Sequence, residues 1–246
     1  MRVERDGPIA RITLDGPDRL NAVSVETLRE LEASLRGVAG EDSIRVIVLT
    51  GVGRAFCAGA DLSGDLDAAI VMDVANAVIR MIATVDVPVI AAVNGPAAGY
   101  GASLLLAADP AIAAESASVL LPFTGLGLIP DGGLTHTVVA AAGRAMAGDP
   151  VYSGRRLSAG EAAQAGLVSR VVVDAAFAAT VDEIARAVAE RPRMALTRSK
   201  HALNEARLAD LDAALEREAE GQVALVGSED FARRTARFRN HDGSRA

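Results

Sequence analysis

Two short, uninterrupted apolar runs, Val46 to Leu49 and Pro88 to Val93, constrain the fold of this chain more than any other feature. Each is short enough for a strand buried on both faces, and each runs into a glycine-bearing turn. Residues 66 to 84 between them carry helical periodicity. A further helix is expected from about Ala102 to Ala108, ahead of a strand-like Ala-Ile-Ala-Ala stretch. Strands alternating with helices in this way imply a layered α/β architecture. Half of the residues are hydrophobic but only 3% are aromatic and none is tryptophan, so Ala, Val, Leu and Ile must fill the interior.

Ala10, Ile12 and Leu14 alternate with Arg11 and Thr13, the pattern of a half-buried strand. Ser24 is placed to cap a helix whose apolar face is Val25, Leu28, Leu31, Leu35 and Val38. From Ala159 onward the chain is mostly helical, with a short extended run at Val171 to Val173. Pro192 separates two of these helices, and Pro150 argues against one continuous helix through AAGRAMAGDPVYSG. Leu208, Leu211 and Leu215 make an apolar stripe that suits either the core or a subunit contact.

The net charge of −7 gives no long-range attraction to nucleic acid or to an anionic bilayer, so neither is expected as a partner. A single cysteine, Cys57, excludes an intramolecular disulfide and fits a reducing compartment. The first residues lack the apolar stretch of a signal peptide, and no run approaches the roughly 18 apolar residues of a membrane span. A cytoplasmic location is therefore expected. Three scattered histidines offer no metal-ligand spacing, and no metal is expected.

Chemistry is suggested by two glycine-bearing segments. In RVIVLTGVGRAFCAGADL, Gly51 and Gly53 follow a strand, but Phe56 stands where a dinucleotide fingerprint needs its third glycine. In VIAAVNGPAAGYGASLLLAAD, a strand runs through Asn94-Gly95-Pro96 into a helix beginning near Gly99. Unsatisfied N–H groups of a first helical turn point outward as donors to an anion, although glycines here also simply permit a tight turn.

These two segments, with the turn Arg19-Leu20-Asn21-Ala22, resemble the crotonase superfamily of enoyl-CoA hydratases and isomerases across nearly the whole chain. The resemblance implies a crotonase (ClpP-like) α/β fold of repeated β-β-α units. Residues 1–190 would form the core domain and residues 191–246 a helical region that trimerises, giving a homotrimer or a hexamer. It also implies an acyl-CoA thioester substrate, whose carbonyl oxygen the backbone N–H groups of Ala60 and Tyr100 would grip, with no cofactor beyond the coenzyme A of the substrate. Each such donor is worth roughly 2.7–4 kcal/mol in a dry pocket. Arg19, Leu20, Ala22, Ala58, Gly59, Ala60, Asp61 and Leu62 would line the coenzyme A path, with Gly99, Tyr100 and Phe123 also in the acyl-CoA site. Tyr100 replaces the glycine usual in the family, so its ring either narrows the acyl pocket or turns away to pack.

The family's hydratases carry two glutamates, and this chain has Ser103 and Phe123 at those places. Neither can serve as a base, which disfavours ordinary hydration. Asp131 in Ile129-Pro130-Asp131-Gly132-Gly133 stands where double-bond isomerases often have an aspartate, and it is the candidate general base. The same residue type before Gly-Gly also suits a helix cap. His136 is a lesser candidate to assist, and Cys57 reads as a packing residue. Isomerisation of an enoyl-CoA is the expected activity. Hydration through atypical residues and non-catalytic acyl-CoA binding are the alternatives.

Overall fold

A computed structural model describes residues 1–63 and 67–239. The helix expected from residue 66 and the C-terminal region expected to reach 246 therefore extend in part outside the described residues. The central sheet has six strands: β1 (Arg2–Asp6), β2 (Ile9–Leu14), β3 (Val46–Gly51), β4 (Val89–Val93), β6 (Ala111–Ala114) and β9 (Arg170–Val172). They lie in that order, with β1 antiparallel to β2 and every later pair parallel. A small second sheet joins β5 (Ala97–Ala98), β7 (Ser118–Leu120) and β8 (Arg156–Ser158).

Parallel strands need crossovers, and α1 (Val25–Ala39), α2 (Ala68–Thr84) and α3 (Tyr100–Ala107) lie in the first three of them. Ser24 caps α1, its hydroxyl accepting the Thr27 N–H at 3.3 Å, and Leu28, Leu31, Leu35 and Val38 are buried as the spacing predicts. Asp67 caps α2 in the same manner. All eight residues of α3 are buried, so it runs through the core; it begins just after Gly99, as the glycine turn indicates, and two residues ahead of the Ala102 start expected from its apolar run.

The reading of β2 as half-buried needs correction. Thr13 is buried and Arg11 is partly covered, because α6 (Phe177–Ala189) lies across the second face of the sheet. Val181 and Ala185 of α6 pack with Ile9, Val46, Val48, Ile90 and Ile112, while Arg11 pairs with Asp182 at 2.5 Å. Both faces of β3 and β4 are thus covered, as continuous apolar runs require.

The chain then forms α4 (Leu134–Ser153), the short α5 (Ala159–Gln164), α7 (Arg193–Arg207), α8 (Leu211–Val226) and α9 (Glu229–Arg239). The break in α4 falls at Gly143 (φ 77°, ψ 158°) and not at Pro150, which is accommodated within the following helical turns. Glycine reaches that conformation without a Cβ penalty, so the kink settles there. Pro192 does separate α6 from α7. Leu211 and Leu215 belong to the main core, with Leu208 packed on it, which resolves their stripe as intramolecular.

Candidate active site

The site is built where two loops meet below the sheet's strand ends. Leu20 (φ 53°) and Asn21 (φ 58°) turn the chain through left-handed conformations after β2. Asn21 is buried and ties three segments together. Its Nδ2 donates to Val52 O at 2.9 Å and Ala55 O at 2.8 Å, and its Oδ1 accepts the Gly16 N–H at 3.0 Å. Asn94 does the same after β4, donating to Gly53 O and Ala55 O and accepting from Gly51 N–H at 3.2 Å. Loop backbone with few ladder partners is thereby fixed by side-chain amides.

This framework brings the two donor loops into contact. Ala98 N–H donates to Cys57 O at 2.9 Å, and Ala58 N–H donates to Leu20 O at 3.0 Å. A Cβ on Gly101 would lie 2.2 Å from Cys57 O, and one on Gly59 would lie 2.9 Å from Ala98 O and 3.4 Å from Tyr100 N. Glycine at both positions is what allows the approach. The bridge between Val23 and Ala60 uses the Val23 and Asp61 N–H groups, leaving the Ala60 N–H outside it. Tyr100 is the first residue of α3, where the helix cannot satisfy its own N–H. Both predicted donors thus stand side by side.

Beside them opens a cavity of about 460 Å³. Ala60, Asp61, Tyr100 and Asp131 line it, together with apolar side chains that include Leu28, Val71 and Met72. Tyr100 combines the two alternatives for its ring. The ring lies on the cavity wall while the hydroxyl donates to Ala75 O on α2 at 2.7 Å. Burial, then the charge of Asp131, pushes the phenol well above its ordinary range, so it stays neutral.

Asp131 is the most perturbed carboxylate of the site. Burial pushes its pKa up to about 7; a hydrogen bond from Gln222 opposes this and the neighbouring Glu218 adds to it. Gln222 Nε2 donates to Oδ2 at 2.7 Å, while the buried Oδ1 has no partner among the described residues. Asp131 does not cap α4 with its side chain. That position falls to Glu218 of α8, which accepts the Gly133 N–H at 2.6 Å, the Thr135 N–H at 2.7 Å and the Thr135 hydroxyl at 2.6 Å. Ser103 donates its hydroxyl to the Asp131 carbonyl at 2.8 Å, so it supports the turn that carries the carboxylate.

The remaining sequence-nominated residues surround this cavity without lining it. Leu20, Ala22, Ala58, Gly59 and Gly99 form the backbone framework, and Leu62 is half-buried beside it. Phe123 is buried behind the Gly99 turn, its Cζ 4.0 Å from where a Gly99 Cβ would lie. Arg19 pairs with Asp61 at 2.5 Å and donates to Ser63 Oγ at 3.2 Å, so part of its charge is committed within the loop. Burial alone would raise Asp61, but Ser63 and Arg19 outweigh it and hold the carboxylate below its ordinary value. Cys57 is fully buried and desolvation pushes its thiol up to about 12, which leaves a packing group. His136 lies in the first turn of α4, off the cavity lining.

Sequence reasoning missed Asn21 and Asn94 as struts and Glu218 and Gln222 as partners of the Asp131 turn. The signal for the last two was present: both are polar residues within the stripe that Leu211 and Leu215 begin on α8.

Among the described residues no helix is long and apolar enough to cross a membrane. Residues 4–241 match the family model described as enoyl-CoA hydratase/isomerase. A 1,2-epoxyphenylacetyl-CoA isomerase of Escherichia coli K12 is 38% identical over 240 residues, covering 94% of this chain and 91% of the relative. A short-chain-enoyl-CoA hydratase of Clostridium acetobutylicum is 32% identical, covering 93% and 90%. The crystal structure of an enoyl-CoA hydratase from Mycobacterium avium subsp. paratuberculosis K-10 superposes with a TM-score of 0.92 at 36% identity, over 96% of this chain and 97% of that one. With its α/β core, abutting glycine loops and this likeness along nearly its full length, the chain belongs to the enoyl-CoA hydratase/isomerase family of the crotonase superfamily.

Proposed function

We propose that this acyl-CoA-processing enzyme is an enoyl-CoA isomerase that moves a carbon–carbon double bond, with Asp131 as its single proton carrier. The observation that carries the reading is the buried Asp131 carboxylate, raised to about 7 and sharing a cavity with Ala60 and Tyr100. A thioester oxygen held between the Ala60 and Tyr100 N–H groups can accept the charge of an enolate as the C2 proton leaves. Asp131 takes that proton from C2 and, now neutral, returns it at C4 as the double bond shifts. A carboxyl group near half-ionisation at neutral pH can do both, since neither direction is strongly uphill. Ser103 and Phe123, at the places of the hydratase glutamates, supply no second carboxylate to orient a water.

Asp61 and Ser63 on the cavity wall, with Arg19 tied to Asp61, are read as the side of the site that meets the coenzyme A arm. Assembly as a homotrimer or hexamer in the cytoplasm is part of the same reading. Exposed apolar side chains such as Tyr152, Met194 and Leu203 offer surface for it. Hydration is the second reading, favoured by the hydratase relative and by the unpartnered Asp131 Oδ1, an acceptor that suits a water as well as a substrate proton.

Asp131→Asn tests the assignment. Conversion of 3-enoyl-CoA to 2-enoyl-CoA, followed by absorbance, is expected to lose about 10²–10⁴-fold in kcat with little change in KM, the usual weight of a general base. Turnover at the wild-type rate would contradict it.

A further inference from the structure

Glu218 and Gln222 stand one turn apart on α8 and are both buried, at 0% and 3% exposure. Polar groups placed inside an apolar stripe cost free energy unless each finds partners. Glu218 finds three donors on the α4 turn. Gln222 uses half of its amide: Nε2 donates to Asp131, while Oε1 has no partner among the described residues. Asp131 is in the same condition, with Oδ2 engaged and Oδ1 unpaired.

With a proton on Oδ1, the Oδ2 of a carboxyl group is still an acceptor, so the Nε2–H of Gln222 can bond it whether Asp131 is charged or neutral, and more strongly when it is charged. A base that must pick up a proton and hand it on passes through both states. We propose that Gln222 is a positioning residue of this site, which holds Asp131 by Oδ2 in both of its protonation states and leaves Oδ1 for the substrate proton.

The inference rests on the reading of Asp131 as the base. Other groups also face Asp131. Glu218 on α8 opposes its ionisation, and Tyr100 on α3 presents a neutral phenol. Across the cavity stand Glu26, Arg29, Asp61 and Asp67. Burial and Glu218 disfavour the carboxylate, and the Gln222 donor is the contact that favours it.

The test is a direct titration of Asp131 by carbon-13 NMR of aspartate-labelled protein, with the resonance assigned by its loss in Asp131→Asn. Wild type is compared with Gln222→Met, which keeps length without a donor, and with Gln222→Glu, which sets a second carboxyl against the first. The pH dependence of kcat/KM is measured on the same samples. A hydrogen bond to a charged group corresponds to about one to two pH units, so the midpoint should rise by that much in Gln222→Met and further in Gln222→Glu. An unmoved midpoint in the variants, folded by circular dichroism, overturns the proposal even where turnover falls, since loss of packing alone would do that. A shifted midpoint whose kinetic limb does not follow upholds the hold of Gln222 on Asp131 and overturns the role of Asp131 as base.

Discussion

At the scale of single residues, the cost of the site is concentrated in Asp131. Its pKa of about 7 in the folded protein lies above the unfolded value near 4, so the folded state binds a proton more tightly than the unfolded one. The associated stability is fully present below about pH 4 and is lost as pH rises through the interval to about 7, reaching about 4 kcal/mol. Asp131→Asn removes this dependence. Urea unfolding at pH 4.5 and pH 8 should find the variant near wild type at the lower pH and more stable at the higher, by up to about 4 kcal/mol. Equal stabilities at pH 8 would mean that the carboxylate is solvated and not held as described. The sequence nominated Asp131 by position within Pro-Asp-Gly-Gly but left base and cap undecided. The deciding residue, Glu218, lies 85 positions from Gly133, and a cap supplied by another element has no fixed spacing to reveal it.

At the scale of elements, α8 organises the turn that carries the base. Leu211 and Leu215 seat it in the core, and Glu218 takes the N-terminal donors of α4 that Asp131 would otherwise compete for. Negative charge at a helix N-terminus is also favoured by the helix dipole, which offsets part of the burial that pushes Glu218 upward. Glu218→Ala leaves two N–H groups and a hydroxyl without their acceptor. A loss of about 2–4 kcal/mol is expected, seen as a drop of about 4–16 °C in melting temperature. A variant that melts with wild type would show that α4 finds another cap. The helices were legible because Ser24 and the 3.6-residue spacing from Leu28 to Val38 are local signals. Strands β5, β7 and β8 were not, since two or three residues carry too little pattern to register.

At the scale of the whole molecule, the parallel sheet places its glycine loops together beside the cavity, while helices cover both faces of the sheet. Alternation in β2 suggested an exposed face, and the correction came from α6, more than 160 residues later, closing over Ile9 and Arg11. Local pattern shows which side chains can be buried but not which distant element buries them. The donor loops were legible through their glycines and through resemblance, and the structure supplies why glycine is needed: Gly101 against Cys57 O and Gly59 against Ala98 O. One cavity thus pairs two backbone N–H donors with the Asp131 carboxylate. The most direct test of this pairing is to incubate the purified protein with 2-enoyl-CoA and with 3-enoyl-CoA in D2O and to follow the products by NMR and mass spectrometry. Double-bond migration is the expected result, with deuterium entering more slowly than the double bond moves because one carboxylate carries the same proton from C2 to C4. A product heavier by one water, with no migration, would contradict it and make the protein a hydratase.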